Sequence, residues 1–208
     1  MFLILDFTQS FRLAIIHDDQ TISKEFKTKK NISEILIPKI ENFLNHSKTN
    51  IKKIKSIYVI TGPGSFTGVR SALTFAKSLK LMTKLNIFGV SKFEIINAKI
   101  NSNKYSKRKL ILLHFKNNQF FIQTFKNHKA IDKARLLNLD IEELKINKKI
   151  TYIYDNVLFE ELVGNKISGN TKKDFHLIRY NLDTLQEIIL KNNIDNADPK
   201  PLYISNYY

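Results

Sequence analysis

The chain has 208 residues, enough for one large domain or two small ones with a hydrophobic core, and its 43% hydrophobic and 25% charged residues are ordinary globular usage, so disorder is not the default reading. It has no cysteine, which excludes disulfides, thiolate metal sites and cysteine nucleophiles. The formal net charge is +15, and residues 51–150 hold 21 Lys/Arg against 5 Asp/Glu. Lysines outnumber arginines 29 to 5, and Asn, Ile, Phe and Tyr are abundant too. All have A/T-rich codons, so base composition explains much of the charge. Contact with a polyanion is the functional alternative.

Met1–Phe7 is a short apolar run with an acid at Asp6 and no basic segment before it, which is not a secretory signal. No apolar run approaches the roughly 18 residues that span a bilayer, so a cytosolic protein without a membrane is expected. Met1–Phe7, Phe11–Ile16 and Thr21–Thr28 read as three antiparallel strands joined by polar turns. Ser33 offers an N-cap with Glu34 in the first turn, and Leu36, Ile40, Phe43 and Leu44 follow at helical spacing. Pro38 suits only a first turn, so the helix is expected to start near Ile37 or to bend there. Ser56–Thr61 is a buried strand, Thr67–Thr83 a helix, Leu85–Val90 a strand, and Ser91 caps a helix to about Ile100. This alternation predicts parallel strands with covering helices.

Asn101–Lys109 is polar and basic and reads as a linker. Leu110–Phe115 and Phe120–Phe125 form a hairpin around Asn117 and Asn118. Ala130–Ile146 is mixed, helical around Ile141–Ile146, followed by a strand at Thr151–Tyr154 and a helix at Leu182–Leu190. No repeat of fixed length stands out. The domains expected are 1–104 and 105–208, with the C-terminal helix packing back on the first.

The sharpest feature is Thr61-Gly62-Pro63-Gly64-Ser65-Phe66-Thr67-Gly68-Val69-Arg70, between a buried strand and a helix. Gly62 and Gly64 open backbone angles closed to other residues, and Ser65 or Thr67 can cap the helix. Free N–H groups at a helix start can hold an anion, and a tight turn with no ligand is the other reading. No Gly-Lys-Ser/Thr follows, so this is not a Walker A loop. Asp6 and Thr8 at the end of the first strand could place a metal–phosphate contact or form an ordinary turn. None of the five histidines has a second at i+4, and there is no G-x-S-x-G elbow. Glu142 and Glu143 are adjacent and so face apart on a helix, and Lys107-Arg108-Lys109 read as solvated linker charge, with phosphate contact as the alternative.

The helix after the loop carries two stripes. Val69, Ala72, Leu73, Ala76 and Leu79–Lys80 are the core face, while Ser71, Phe75, Ser78 and Met82 form a second, uncharged one. A helix packed on one side only would carry charge there, so the second stripe is buried inside the domain or against a partner.

TGPGSFTGVRSALTFAKSLK resembles the GPGSFTGxR stretch of the TsaB family, also called YeaZ. LILDFT (3–8) resembles its opening strand and turn, SEILIPKI (33–40) its His-Ser-Glu-x-Leu-Leu-Pro helix, FGVS (88–91) the strand and cap before the third helix, and PLYIS (201–205) its closing motif. The sequence departs from the pattern at Ile32, where many relatives have His, and at 114–121, where HFKNNQFF replaces an acidic hairpin with arginine. The resemblance implies an actin/Hsp70-like (ASKHA) α/β fold of two related halves with mixed sheets, the second reduced. It implies a non-catalytic accessory subunit for N6-threonylcarbamoyladenosine formation at tRNA position 37, paired with the catalytic TsaD and the ATPase TsaE. The implied contact involves first-domain helices, with Ile35, Ser71, Phe75, Ser78 and Met82 as candidates, and the same surface supports a homodimer when TsaD is absent. No cofactor of its own is implied, although a nucleotide at or near the interface is. The tRNA would be met indirectly or through the basic 51–150 region. The alternatives are an ATP-binding phosphotransferase or ATPase using Asp6, Thr8, Gly62, Pro63, Gly64, Ser65, Phe66, Thr67, Gly68 and Arg70, and a metallopeptidase.

Overall fold

The computed structural model describes residues 1–18, 20–27, 32–100, 107–139, 147, 149–156, 158–163, 174–178, 180, 182, 185, 188 and 198–204. The chain separates into two compact units, Met1–Lys92 with Leu182–Tyr203, and Phe93–Asn181 with Ile204–Tyr208. The expected helix at 141–146, Glu142, Glu143 and most of the expected linker at 101–109 lie outside the described residues.

In the first unit, β1 (Phe2–Asp6), β2 (Phe11–His17) and β3 (Gln20–Phe26) form an antiparallel meander. Then β4 (Ser56–Ile60) pairs parallel with β1, and β5 (Asn86–Val90) with β4. The sheet order is β3-β2-β1-β4-β5. The parallel strands are connected through α1 (Ile32–His46) and α2 (Phe66–Met82). Leu3, Leu5, Leu13, Ile57 and Val59 pack in one cluster with Leu36, Ile40 and Phe43 of α1 and Val69, Ala72 and Ala76 of α2. The opposite-facing residues Ile4, Ala14, Tyr58 and Ile60 are buried too. That is why β1 and β4 read as continuous apolar runs and not as alternation. Each fully buried large side chain contributes about 1.5–3 kcal/mol.

Two expectations about α1 change, the cap at Ser33 and the start near Ile37. The helix begins at Ile32, so Ser33 lies inside it, not at its cap; the Ser33 side chain is outside the described residues. Pro38 sits within the helix, neither starting nor ending it. The missing N–H removes one helical bond, while burial of Leu36, Ile40, Phe43 and Leu44 holds both sides of the proline in place.

The second unit repeats this arrangement. Its strands are β6 (Arg108–Lys116), β7 (Gln119–Lys126), β8 (Lys129–Ala130), β9 (Arg135–Asn138), β10 (Thr151–Tyr154) and β11 (Phe175–Leu177). The order β8-β7-β6-β10-β11 matches β3-β2-β1-β4-β5 strand for strand, with β9 as an additional partner of β7. As in the first unit, the strands running out to β8 pair antiparallel, while β6, β10 and β11 are parallel. Helix α4 (Leu158–Val163) lies between β10 and β11 in sequence, where α2 lies between β4 and β5. These are the two related α/β halves with mixed sheets expected of the actin/Hsp70-like fold. Leu112, Phe120, Ile122, Tyr152, Tyr154 and Phe159 form the core of one face. Asn117 closes the β6–β7 hairpin at φ 47°, a left-handed angle that Asn tolerates.

Helix α3 (Lys92–Lys99) supplies Asn97, whose Oδ1 accepts a 2.8 Å hydrogen bond from the fully buried Lys109 Nζ on β6. A second bond runs from Nζ to the Asn127 carbonyl at 3.2 Å. Burial holds the Lys109 pKa below its ordinary 10.5. For a lysine, this disfavours the ammonium in the folded state at any pH below 10.5 and spares it above. Wild-type stability relative to Lys109→Met should therefore rise as pH rises through the window just below 10.5. Urea unfolding of both proteins from pH 7 to 10.5 checks this, and a flat difference overturns it.

Candidate functional site

Asp6 ends β1 and is fully buried. Its Oδ1 accepts from the Thr8 backbone N–H (3.0 Å) and the Thr8 hydroxyl (2.6 Å). Its Oδ2 is 2.6 Å from Nη2 of Arg12 on β2. The strand-end acid is thus one member of an Asp–Thr–Arg knot that fixes the β1–β2 turn. Arg12 is the residue that sequence reasoning missed. Its signal was register, because Asp6 and Arg12 are cross-strand partners.

The glycine loop closes on this turn. Gly62 and Gly64 have φ of 121° and 156°, the left-handed region expected of them. A Cβ on Gly64 would lie 2.3 Å from the Thr8 carbonyl oxygen, and one on Gly68 would lie 2.0 Å from that of Phe7. The Ser65 N–H donates to the Thr8 carbonyl at 2.6 Å, and the Ser65 hydroxyl accepts from Gly68 N–H at 3.1 Å, capping α2. Gly62 accepts from Lys92 N–H, and Thr61 accepts from Leu202 N–H, both at 2.8 Å. Gly64 and Gly68 are therefore explained by the approach of residues 7 and 8. Thr8 stands opposite Gly64, and the N–H groups of Ser65 and Gly68 are engaged within the chain. Pro63 and Thr8 are buried, and Thr67 is exposed.

Arg70 turns away from the loop glycines. Its guanidinium stacks over Phe66 at 3.7 Å from the ring centroid, and its Nε donates to the Tyr203 hydroxyl at 3.0 Å. The C-terminal segment is held to α2 a second time by Lys77 and Asp198, 3.1 Å apart. The hydrogen bond from Lys77 lowers the Asp198 pKa. That contribution is present above the ordinary carboxylate pKa and is lost as pH falls through the lowered one.

Helices α1 and α2 enclose a groove of about 490 Å³. Leu36 and Ile37 line it from α1, and Phe66, Arg70, Ser71, Phe75 and Ser78 from α2. Three members of the second stripe, Ser71, Phe75 and Ser78, are thus brought together. Met82 lies beyond the groove, 80% exposed, next to Leu81 at 89%. Ile35 is half-buried, and Ile37 of α1 is the groove's exposed large hydrophobic residue, at 57%. Ile37 could have been found as an apolar residue off the α1 core stripe. Phe75 is half-buried and packs against the core as well as lining the groove. Apart from Arg70, no groove-lining residue carries charge. Large exposed apolar side chains beside such a groove are the pattern of an interaction surface.

Among the described residues, no group of three or more His, Cys, Asp or Glu is placed to hold a metal ion. None of the described helices is long and apolar enough to cross a membrane.

The family model described as tRNA N6-adenosine threonylcarbamoyltransferase, TsaD, matches residues 20–149. The TsaB of Buchnera aphidicola from Acyrthosiphon pisum is 25% identical over 189 residues, covering 86% of this chain and 83% of that protein. The TsaB of Bacillus subtilis is 35% identical over 88 residues, covering 41% and 38%. The solved structure described as YeaZ from Pseudomonas aeruginosa matches 98% of this chain and 99% of its own, with a TM-score of 0.65 at 14% identity, which is a likeness of fold.

Proposed function

The chain belongs to the TsaB branch of the tRNA N6-adenosine threonylcarbamoyltransferase family, and we propose that it serves threonylcarbamoyladenosine formation as a non-catalytic cytoplasmic subunit that docks the catalytic subunit through the α1–α2 groove. Its relatives' shared name, tRNA threonylcarbamoyladenosine biosynthesis protein, supports the pathway. The observation that carries the docking role is the groove itself, lined by Ile37, Ser71, Phe75 and Ser78 and continued by exposed Leu81 and Met82. Small and apolar side chains let a partner helix approach closely and lose water without stranding a charge. On this reading the catalytic subunit is TsaD and the ATPase TsaE joins the pair. A nucleotide then sits at the subunit interface and not in this chain's loop, and a homodimer uses the same groove when TsaD is absent.

Ser78 is the position that separates docking from folding. It is exposed and helical, so Ser78→Glu leaves the unit folded. Phe75→Glu does not make this separation, because Phe75 also packs on the core. A buried, unpaired acid in the interface costs about 2 kcal/mol or more, so Ser78→Glu should weaken association with TsaD at least roughly 30-fold. Size-exclusion chromatography of each protein mixed with TsaD, with modification of a tRNA transcript as the activity readout, tests the role. Wild-type co-elution of a folded Ser78→Glu would refute the groove. Independent elution of the wild-type chain, with modification unaffected by it, would refute the subunit role.

A further inference from the structure

The second unit's sheet carries its charge in a line. Arg108 on β6 lies opposite Lys126 on β7, and Lys126 lies opposite Lys129 on β8. Direct cross-strand partners point to the same side of a sheet, with Cβ atoms about 4.5–5.5 Å apart. All three residues are exposed, as are the neighbouring Lys107 and His128. Residues 107–139 contain eight Lys/Arg and a single acid, Asp132. The Asp132 carboxylate accepts the Thr124 backbone N–H at 2.7 Å. Like charges directly opposite each other destabilise a sheet. The next strand, β8, adds a third cation in register.

We propose that the Arg108–Lys126–Lys129 row is a contact surface for the phosphate backbone of RNA, and specifically of the tRNA substrate. The identification of the RNA as tRNA rests on the function proposed above. The row's chemistry fits phosphate better than base edges. Two of its three cations are lysines, compact point charges without the planar fork that reads guanine. Phosphate contacts of this kind set position and register and carry no sequence information. The row is also held rigidly, on three hydrogen-bonded strands, so binding orders little. Phe125 points to the opposite face and is buried, and Leu110, on the row's own face, packs half-buried against Leu112 and Ile122, whereas a membrane-inserting surface would present such groups to the lipid.

The test is fluorescence anisotropy of the full chain with a labelled, unmodified tRNA transcript between 50 and 200 mM KCl. Lys126→Gln/Lys129→Gln is compared with Lys52→Gln/Lys53→Gln, which removes the same charge from an exposed 3-10 turn of the first unit. The row variant should bind about tenfold more weakly at 50 mM salt and lower the slope of log K against log salt by about 2. The loss should be equal for an unrelated RNA of the same length. The control should keep the wild-type slope, and the row variant should melt no lower than wild type, because like charges in register have been removed. An equal loss in both variants overturns the proposal, as does preference of the wild type for phosphatidylserine vesicles over RNA. Failure of the chain to co-elute with TsaD would sink the subunit role while leaving the salt slope as the reading of the row.

Discussion

Gly68→Ala is expected to destabilise the first unit by roughly 3 kcal/mol or more, enough to abolish cooperative unfolding in a marginal domain. On helix propensity alone the substitution would stabilise, since alanine is better than glycine in a helix by about 1 kcal/mol. Gly68 lies in the first turn of α2, and a Cβ there would sit 2.0 Å from the Phe7 carbonyl oxygen. That oxygen is backbone, and it cannot retreat cheaply. Asp6 ties the turn through Thr8 and Arg12, and the Ser65 N–H bonds to the Thr8 carbonyl. The sign of the change therefore discriminates between an ordinary helix and one pressed onto the β1 end. Urea denaturation reads it directly, and a loss below about 1 kcal/mol, or a gain, would mean that the close approach relaxes freely. Gly64→Ala should behave likewise, because its Cβ would meet the Thr8 carbonyl at 2.3 Å and its φ is 156°.

Asp6→Asn is expected to cost about 2–3 kcal/mol. Removing one member of a buried ion pair costs about 3–5 kcal/mol, and Arg12, with 19% of its side chain exposed, recovers part of this from water. Asp6→Asn/Arg12→Met should regain much of the loss, since the stranded guanidinium is gone. The phosphotransferase reading requires the opposite pattern. There Asp6 would serve a metal–phosphate contact, and its loss would abolish saturable ATP binding while stability held. Denaturation together with calorimetric ATP titration of wild type and Asp6→Asn separates the two. Wild-type stability in Asp6→Asn would overturn the structural assignment.

Much of the fold was legible in the sequence because local chemistry settled it. The strands at 2–6, 11–17, 56–60 and 151–154 are apolar or β-branched runs bounded by turn residues, and each forms near its expected ends. Helix α2 announced itself through Ser65, which caps it, and through the stripe Val69, Ala72, Leu73, Ala76 and Leu79–Lys80, of which the first four are buried, Leu79 is half-buried and Lys80 is exposed. The TGPGSFTGVR loop carried the family most specifically, with LILDFT, SEILIPKI, FGVS and PLYIS agreeing in order.

Other features depended on distant residues. Strands β9 and β11 went unnoticed within polar or mixed segments, since a short strand is defined by its partners more than by its own residues. The repeat of one strand order in both units leaves no repeat of fixed length in the residues and was expected only from the family resemblance, as topology can persist where side chains share no spacing.

At the candidate site, the sequence by itself determined which residues were special: Asp6, Thr8, the loop glycines and the uncharged face of α2. Tertiary structure alone decided what they do. Packing across the β1–β2 turn gave Asp6 to Arg12 and the loop glycines to Phe7 and Thr8, while the pairing of α1 with α2 set Ile37 beside Ser71 and Ser78. The physical reason is range. Propensity, capping and periodicity act within a turn or two of the chain, whereas an ion pair, a backbone contact or a groove exists only once separate segments have been brought together.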